Sequence, residues 1–149
     1  MIKIQKEDFN LENEIAFIKS QHSNIGAVST FVGYVRNIND KKNVTSIDLE
    51  VYPEMAEKSL LEICDQAKKN WKLIDILVIH RFGALNVNQK IVLVATFAIH
   101  RHDSMAACNY IMDYLKQDAP FWKKEHTTEA EYWVAAKDSD KVALARWEH

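Results

Sequence analysis

The sequence predicts a single α+β domain, with three main helices and a mixed or antiparallel sheet. Three observations lead there. Apolar residues recur at helical spacing in three segments. Strand-like runs fall between those segments without strict alternation, which disfavours a doubly wound parallel sheet. The chain has 149 residues with only three Gly and two Pro, so one domain fits and long linkers do not. A chain of that size buries about 68–70% of its unfolded surface, enough for its own core.

The elements follow in order. Residues 1–5 suit a short strand. Residues 11–20 suit a helix, with Asn10 as N-cap and Leu11, Ile15 and Ile18 on one side. The nearly continuous apolar run 25–35 predicts a buried strand. Residues 36–43 are polar and turn-rich, a loop expected to order on ligand binding. Residues 44–52 alternate, with Thr45, Ile47, Leu49 and Val51 on one face; they suit a strand hairpinned to the preceding one. Pro53 opens a helix whose stripe is Leu60, Ile63, Cys64, Ala67 and Trp71. Residues 73–81 and 91–101 read as strands joined through Gly83 and 86–88. Asp103 or Ser104 caps a third helix running to Asp118, lined by Met105, Cys108, Met112 and Leu115. Residues 120–126 and 131–137 read as short strands, and 138–149 as a polar tail.

Composition excludes several functions. The formal net charge is −2, whereas generic nucleic-acid binding wants a strongly basic footprint. No run approaches the roughly 20 apolar residues of a membrane span, and the N-terminus has no signal-peptide core, so a cytoplasmic location is expected. Cys64 and Cys108 make no disulfide framework and lack metal-site spacing. Both fall on apolar stripes and read as small core hydrophobes. His100 and His102 share a face if their strand is regular, but no third ligand accompanies them, so neither a metal nor another cofactor is expected.

The chain's positive charge gathers around one segment, Tyr110-Ile-Met-Asp-Tyr-Leu-Lys-Gln-Asp-Ala-Pro-Phe-Trp-Lys-Lys-Glu125. It reads as a helix ending in Lys116, a proline stop, then an aromatic, basic strand. Strand alternation puts Phe121, Lys123 and Glu125 on one face and Trp122, Lys124 and His126 on the other. Lys116 has a structural explanation, because a cation in the last turn favours the helix dipole by about 0.3–1 kcal/mol. Lys123 stands between aromatic neighbours, where partial desolvation favours the neutral amine, although edge strands also carry lysine for protection. His100 and Arg101, just before a helix start, form an anion cradle or simply solvated charges.

Those residues match something specific. Met-Asp-Tyr-Leu-Lys-x-x-Ala-Pro-Phe-Trp-Lys-Lys-Glu closely resembles the signature of the large, catalytic subunit of molybdopterin synthase. Gly26-Ala-Val-x-Thr-Phe-x-Gly-x-Val-Arg-Asn37, Leu49-Glu-x-Tyr-Pro-x-Met-x-Glu-Lys58, Val78-Ile-His-Arg-x-Gly83 and His100-Arg101 resemble further motifs of that family in order, over residues 25–137. The resemblance implies an α/β-hammerhead type of fold and a homodimer of catalytic subunits within a heterotetramer. On each docks a small ubiquitin-like sulfur carrier, whose C-terminal Gly-Gly thiocarboxylate enters the pocket. The implied substrate is cyclic pyranopterin monophosphate, the product is molybdopterin with its dithiolene, and two carriers are spent per product. Lys116 and Lys123 match the essential lysines. Arg36, His100 and Arg101 match positions that bind substrate or its phosphate, and Phe31 and Met112 match the pocket wall.

The chemistry suits these residue types. Developing oxyanions want cationic donors, a desolvated lysine moves protons, and a phosphate wants arginine or a helix N-terminus. The expected assignment puts Lys116 at the carrier's terminal carbonyl and Lys123 at the pterin as acid/base. Arg36, His100 and Arg101 then hold the phosphate in one shared hollow. Three positions depart from the family pattern. Ala130 stands where glycine is common, and alanine tolerates positive φ poorly. Ala84 replaces a common glutamate, a neutral change. Lys137 stands where arginine is common; it keeps the charge for substrate binding but loses the bidentate fork. Two other classes compete: a non-catalytic docking module for a ubiquitin-like partner, and a nucleic-acid binder stacking bases on Phe121 and Trp122. The four intact cations weigh against the first and the acidic balance against the second.

Overall fold

The computed structural model describes residues 1–39, 42–128, 130–134 and 138–147. In chain order the elements are β1 (Ile2–Gln5), α1 (Leu11–Ser20), β2 (Ala27–Tyr34), β3 (Ile38–Asn39), β4 (Lys42–Val51), α2 (Pro53–Asn70) and β5 (Leu73–Arg81). They continue with β6 (Gly83–Asn86), β7 (Lys90–Ala98), α3 (Arg101–Asp118), β8 (Phe121–Thr127), β9 (Glu131–Val134) and α4 (Asp138–Ala145). The α+β expectation holds, with two sheets and a fourth helix. Helix starts obey local chemistry. The Asn10 side chain accepts from the Asn13 N–H at 2.9 Å, and Pro53 sits at the first position of α2, where its missing N–H leaves nothing unpaired. No helix among the described residues is long and apolar enough to cross a membrane.

The first sheet runs β1-β5-β7-β2, with β1 parallel to β5 and the other pairs antiparallel. Both of its faces are covered, which is why β5 and β7 read as continuous apolar runs. On one face Ile76, Val78, Val92 and Val94 pack against Leu60, Ile63 and Cys64 of α2 and Cys108, Ile111 and Leu115 of α3. On the other, Leu77, Ile79, Leu93 and Phe97 pack against Phe9 and Ile18. Each such aliphatic side chain contributes about 1.5–3 kcal/mol when fully buried. In the second sheet β4 is central. It pairs with β6 along one edge and β8 along the other, with β9 beyond β8. Gly83 has φ +86°, a left-handed turn that glycine makes without strain as the chain leaves β5 for the second sheet.

Several expectations are corrected. The 25–35 run is an edge strand, with Phe31 and Tyr34 exposed, because among the described residues nothing pairs with the outer side of β2. β4 does not hairpin onto β2. Its hairpin partner is β3, so the polar 36–43 segment contains a strand, residues 40 and 41 lying outside the described residues. A bulge between Val44 and Ser46 turns Val44 inward and leaves Thr45 exposed. β7 ends at Ala98, and Arg101 already belongs to α3 with His100 as N-cap, so strand alternation does not apply to 100–102. Met105 is exposed rather than lining the core.

The polar tail is not a tail either. Residues 138–145 form α4 against α3, and Trp147 beyond it docks on the main body. The Trp147 indole meets Trp71 and Tyr110 edge-on, with centroids 5.7 and 5.5 Å away, and its Nε1–H donates to Asp113 at 2.6 Å. Aromatic contacts of this kind contribute about 0.5–1.5 kcal/mol each beyond area burial. Replacing Trp147 by Ala is therefore expected to lower the unfolding free energy by roughly 2 kcal/mol, with Phe losing about half as much. Urea titration followed by circular dichroism measures both; an unchanged midpoint for Trp147→Ala would mean that the docked segment adds nothing.

Candidate active site

Proline chemistry builds the centre of the site. Ala119 precedes Pro120 and is forced out of helical geometry, to φ −73° and ψ 132°, which ends α3. The Phe121 N–H donates back to the Ala119 carbonyl at 2.9 Å, a three-residue turn that swings the chain straight into β8. Lys116, in the last turn of α3, and Lys123, on the third position of β8, are thereby carried by two rigid elements either side of one tight reversal.

Lys123 points to the inner face of its sheet. It lies opposite Leu49 of β4 and Val134 of β9, and its side chain is one-third exposed. Two residues on, Glu125 is only 4% exposed. Both of its carboxylate oxygens accept from the Asn39 side-chain amide at 2.9 Å, and the Lys123 ammonium stands 4.0 Å from one of them. A buried carboxylate needs such partners, so β3 and β8 are fastened together directly behind Lys123. The neighbouring Lys124 points outward, pairs with Glu131 at 3.0 Å and lies over the Trp133 ring. The predicted split of the two lysines is what the strand produces.

His80, at the end of β5, backs the other lysine. Its ring is 5% exposed and stacks on Phe121, with centroids 3.6 Å apart and planes 17° apart. Its Nδ1 lies 2.8 Å from the Arg81 carbonyl; a carbonyl only accepts, so Nδ1 carries the proton. Burial pushes its pKa down to about 4. The hydrogen bond to Arg81 opposes that, and the nearby Lys116 charge reinforces it. Arg81 itself turns away, donating to the Lys6 and Lys90 carbonyls.

The remaining predicted residues divide into two groups. Thr96 donates to the Ser104 carbonyl, and Cys108 contacts the Val94 carbonyl, so α3 runs antiparallel along β7. The start of β7, opposite Tyr34, therefore lies at the C-terminal end of α3, and exposed Arg36 just past β2 belongs to the lysine end. Phe31, opposite Val94 and partly exposed, and Met112, buried on α3, share the face between. His100 and Arg101 stand exposed at the other end of α3. Arg101 and Lys116 are 15 residues apart on this helix, roughly 22 Å along its axis. One protomer does not bring all the cations into one hollow. Lys137 lies outside the described residues.

Sequence reasoning left His80 and Asn39 out of the site. Each reaches it from a distant segment; His80 lies in the Val78–Gly83 motif without a role assigned to it, and the shared strand face of Phe121 and Glu125 with Lys123 hinted at the environment. Cys64 and Cys108 are buried, and burial pushes both thiols up to about 11, leaving no thiolate for chemistry. A groove of about 620 Å³ lies on the opposite face of β4 and β8, lined by Lys6, Glu50, Tyr52, Trp122 and Trp133. Among the described residues no three His, Cys, Asp or Glu are placed to hold a metal.

Comparison with known proteins adds a family. The sequence profile of the MoaE protein family matches residues 4–118. A molybdopterin synthase catalytic subunit from Vibrio cholerae is 52% identical over 147 residues, 99% of this chain and 97% of that protein. The solved molybdopterin biosynthesis MoaE protein from Burkholderia ambifaria superposes with TM-score 0.86 at 46% identity, covering 100% of this chain and 98% of that one. A complex of subunits 1 and 2 of the molybdopterin-converting factor from Helicobacter pylori shares the fold, with TM-score 0.73 at 19% identity, over 92% of this chain and 90% of its counterpart.

The depressed His80 pKa makes stability depend on pH. Below 6.5 the unfolded chain takes a proton that folded His80 refuses until about pH 4. Its uncharged burial is thus fully compatible with the fold above pH 6.5. Stability then falls as pH drops from 6.5 to 4, by at most roughly 3 kcal/mol, and this contribution levels off below. The difference between wild type and His80→Phe, measured by urea unfolding at pH 7, 5.5 and 4.5, is expected to show that slope in the wild type alone. Parallel profiles would refute it.

Proposed function

The chain belongs to the MoaE family of molybdopterin synthase catalytic subunits, and on that premise we propose that it moves sulfur from the C-terminal thiocarboxylate of a small ubiquitin-like carrier to cyclic pyranopterin monophosphate. The product is the dithiolene of molybdopterin. The observation that carries this reading is the pair Lys116 and Lys123 on two rigid elements around the Ala119–Phe121 turn, with Glu125 and uncharged His80 behind them.

The residues suit the steps. The thiocarboxylate sulfur attacks a side-chain carbon of the pterin; a C–S bond forms as a C–O bond at that carbon breaks, the oxygen taking a proton as it leaves, and the carrier stays joined through a thioester. Water then cleaves the acyl–sulfur bond, leaving sulfur on the pterin and an ordinary carboxylate on the carrier. The hydrolytic step puts negative charge on the carrier's terminal carbonyl oxygen. Lys116, at the mouth of the site, stabilises it. Lys123 exchanges protons with the pterin, with Glu125 as its counter-ion. Arg36 binds the phosphate from the same end of α3.

The assembly is part of the proposal. A pterin monophosphate is far shorter than the roughly 22 Å of α3 between Arg101 and Lys116. His100 and Arg101 therefore serve the pocket of a second copy, in a homodimer that carries one sulfur-carrier subunit on each protomer. The two-subunit complex named for the Helicobacter pylori relative supports a partner of this kind.

Incubating the protein with precursor and thiocarboxylated carrier tests the reaction. Lys116→Ala and Lys123→Ala are each expected to lower dithiolene formation by at least about 100-fold. The Cys64→Ala, Cys108→Ala double variant, if folded, stays within about threefold of wild type. Full activity in either lysine variant would sink the scheme, and inactivity of a folded cysteine variant would relocate the sulfur.

Sharing between copies has its own signature. A mixture of Lys116→Ala and Arg101→Ala protomers, each inactive alone, forms mixed dimers with one intact pocket. Such a mixture is expected to recover about a quarter of wild-type turnover after subunit exchange. No recovery despite proven exchange would place both groups in one protomer's pocket or remove Arg101 from it.

A further inference from the structure

We infer that His80 is a positioning residue for the lysine pair, acting through its ring contact with Phe121. The inference rests on the sulfur-transfer reading above. It concerns how the two sheets are held together at the site, which no strand pairing explains: β5 belongs to the first sheet and β8 to the second, and no ladder joins them among the described residues.

His80 is anchored on its own side. Its residue pairs with Ile4 of β1 and Val92 of β7 in the interior of the first sheet. The Nδ1–H bond to the Arg81 carbonyl fixes the ring plane. The ring then offers a flat, fixed surface, and Phe121 lies on it nearly parallel at 3.6 Å. Phe121 is the first residue of β8, and Lys123 follows on the same face, about 7 Å along the strand. The stack therefore sets where β8 begins, and with it where the Lys123 ammonium stands. The charge of Lys116 also reaches the same ring. Because Nδ1 holds the single proton, Nε2 keeps a lone pair, and among the described residues it has no hydrogen-bond partner. Lys116 thus acts on a ring that is rigid, polar and without positive charge. Arginine or lysine in this place would repel it, and a flexible aliphatic chain would not hold Phe121.

The ring's shape and lack of charge are what the inference requires, so the variants sort by ring. With precursor and thiocarboxylated carrier, well below the melting temperature and with folding checked by circular dichroism, His80→Ala is expected to lower kcat about 30-fold or more, with KM within about threefold. His80→Asn, which keeps a donor for the Arg81 carbonyl and loses the ring, behaves like His80→Ala. His80→Phe, which keeps the ring and loses the donor, retains kcat within about threefold. Phe121→Ala reproduces the His80→Ala defect from the other side of the contact. The double variant is no more than about twofold worse than either single one, as expected for residues acting through one contact. Should His80→Ala fail to fold, Phe121→Ala and His80→Asn carry the same test. Rescue by Asn but not Phe, fully additive losses, or a defect confined to KM would overturn the inference. Wild type that turns over beside an undiminished His80→Ala variant overturns it alone. Wild type that forms no dithiolene overturns the function reading, and this inference with it.

Discussion

Everything at the candidate site depends on the reversal at Ala119–Pro120–Phe121. Proline removes the helical option from the residue before it and offers no N–H to prolong α3. The chain turns within three residues and enters a strand at once. A looser connection would let the last helical turn fray and carry Lys116 away from β8. The surroundings treat the two cations differently. Lys123 receives a buried carboxylate, Glu125, within 4.0 Å. The charge of Lys116 acts on an aromatic imidazole, His80, held without charge chiefly by burial.

The carboxylate in turn explains the β3–β4 hairpin. A buried Glu125 without donors would be costly, since removing one partner of a buried charge typically destabilises by about 3–5 kcal/mol. Asn39 supplies its amide to both oxygens, while its own Oδ1 is buried with no partner among the described residues. An unpaired acceptor of that kind is a local weakness of about 1–3 kcal/mol. The hairpin next to Arg36 is thus tied to the site by a bond that only half satisfies Asn39.

Much of this was legible because it is local. The caps at Asn10 and Pro53, the stripe of α2 and the lysines either side of Pro120 all follow from neighbours within a few residues. The misreadings share one physical origin, which is that burial is decided by partners far away. The 25–35 run is apolar enough for a central strand, yet β2 lies at an edge. Met105 has helical spacing with Cys108 and Met112, yet stands exposed near the start of α3. Residues 100–102 were given strand alternation because helix starts are weakly marked when the N-cap is His100, which makes no side-chain capping bond. The charged 138–147 segment folds because Trp147 finds Trp71 and Tyr110, contacts no sequence window contains. His80 and Asn39 belong to the same class.

The two ends of α3 pose a final geometric problem, and its solution constrains the assembly. A straight helix of this length keeps its termini apart whatever the side chains do, because each residue adds about 1.5 Å. Its N-terminus offers free N–H groups beside His100 and Arg101, a natural seat for an anion. Its C-terminus offers carbonyls beside Lys116, where a cation is favoured and an anion is not. The helix backbone therefore favours an anion at the Arg101 end and leaves an oxyanion at the other end to the Lys116 side chain. Two copies related by a twofold axis can bring the N-terminus of one helix to the C-terminus of the other, and the symmetry then makes that pairing twice. In the homodimer proposed above, the dipole and length of a single helix divide the labour between two copies.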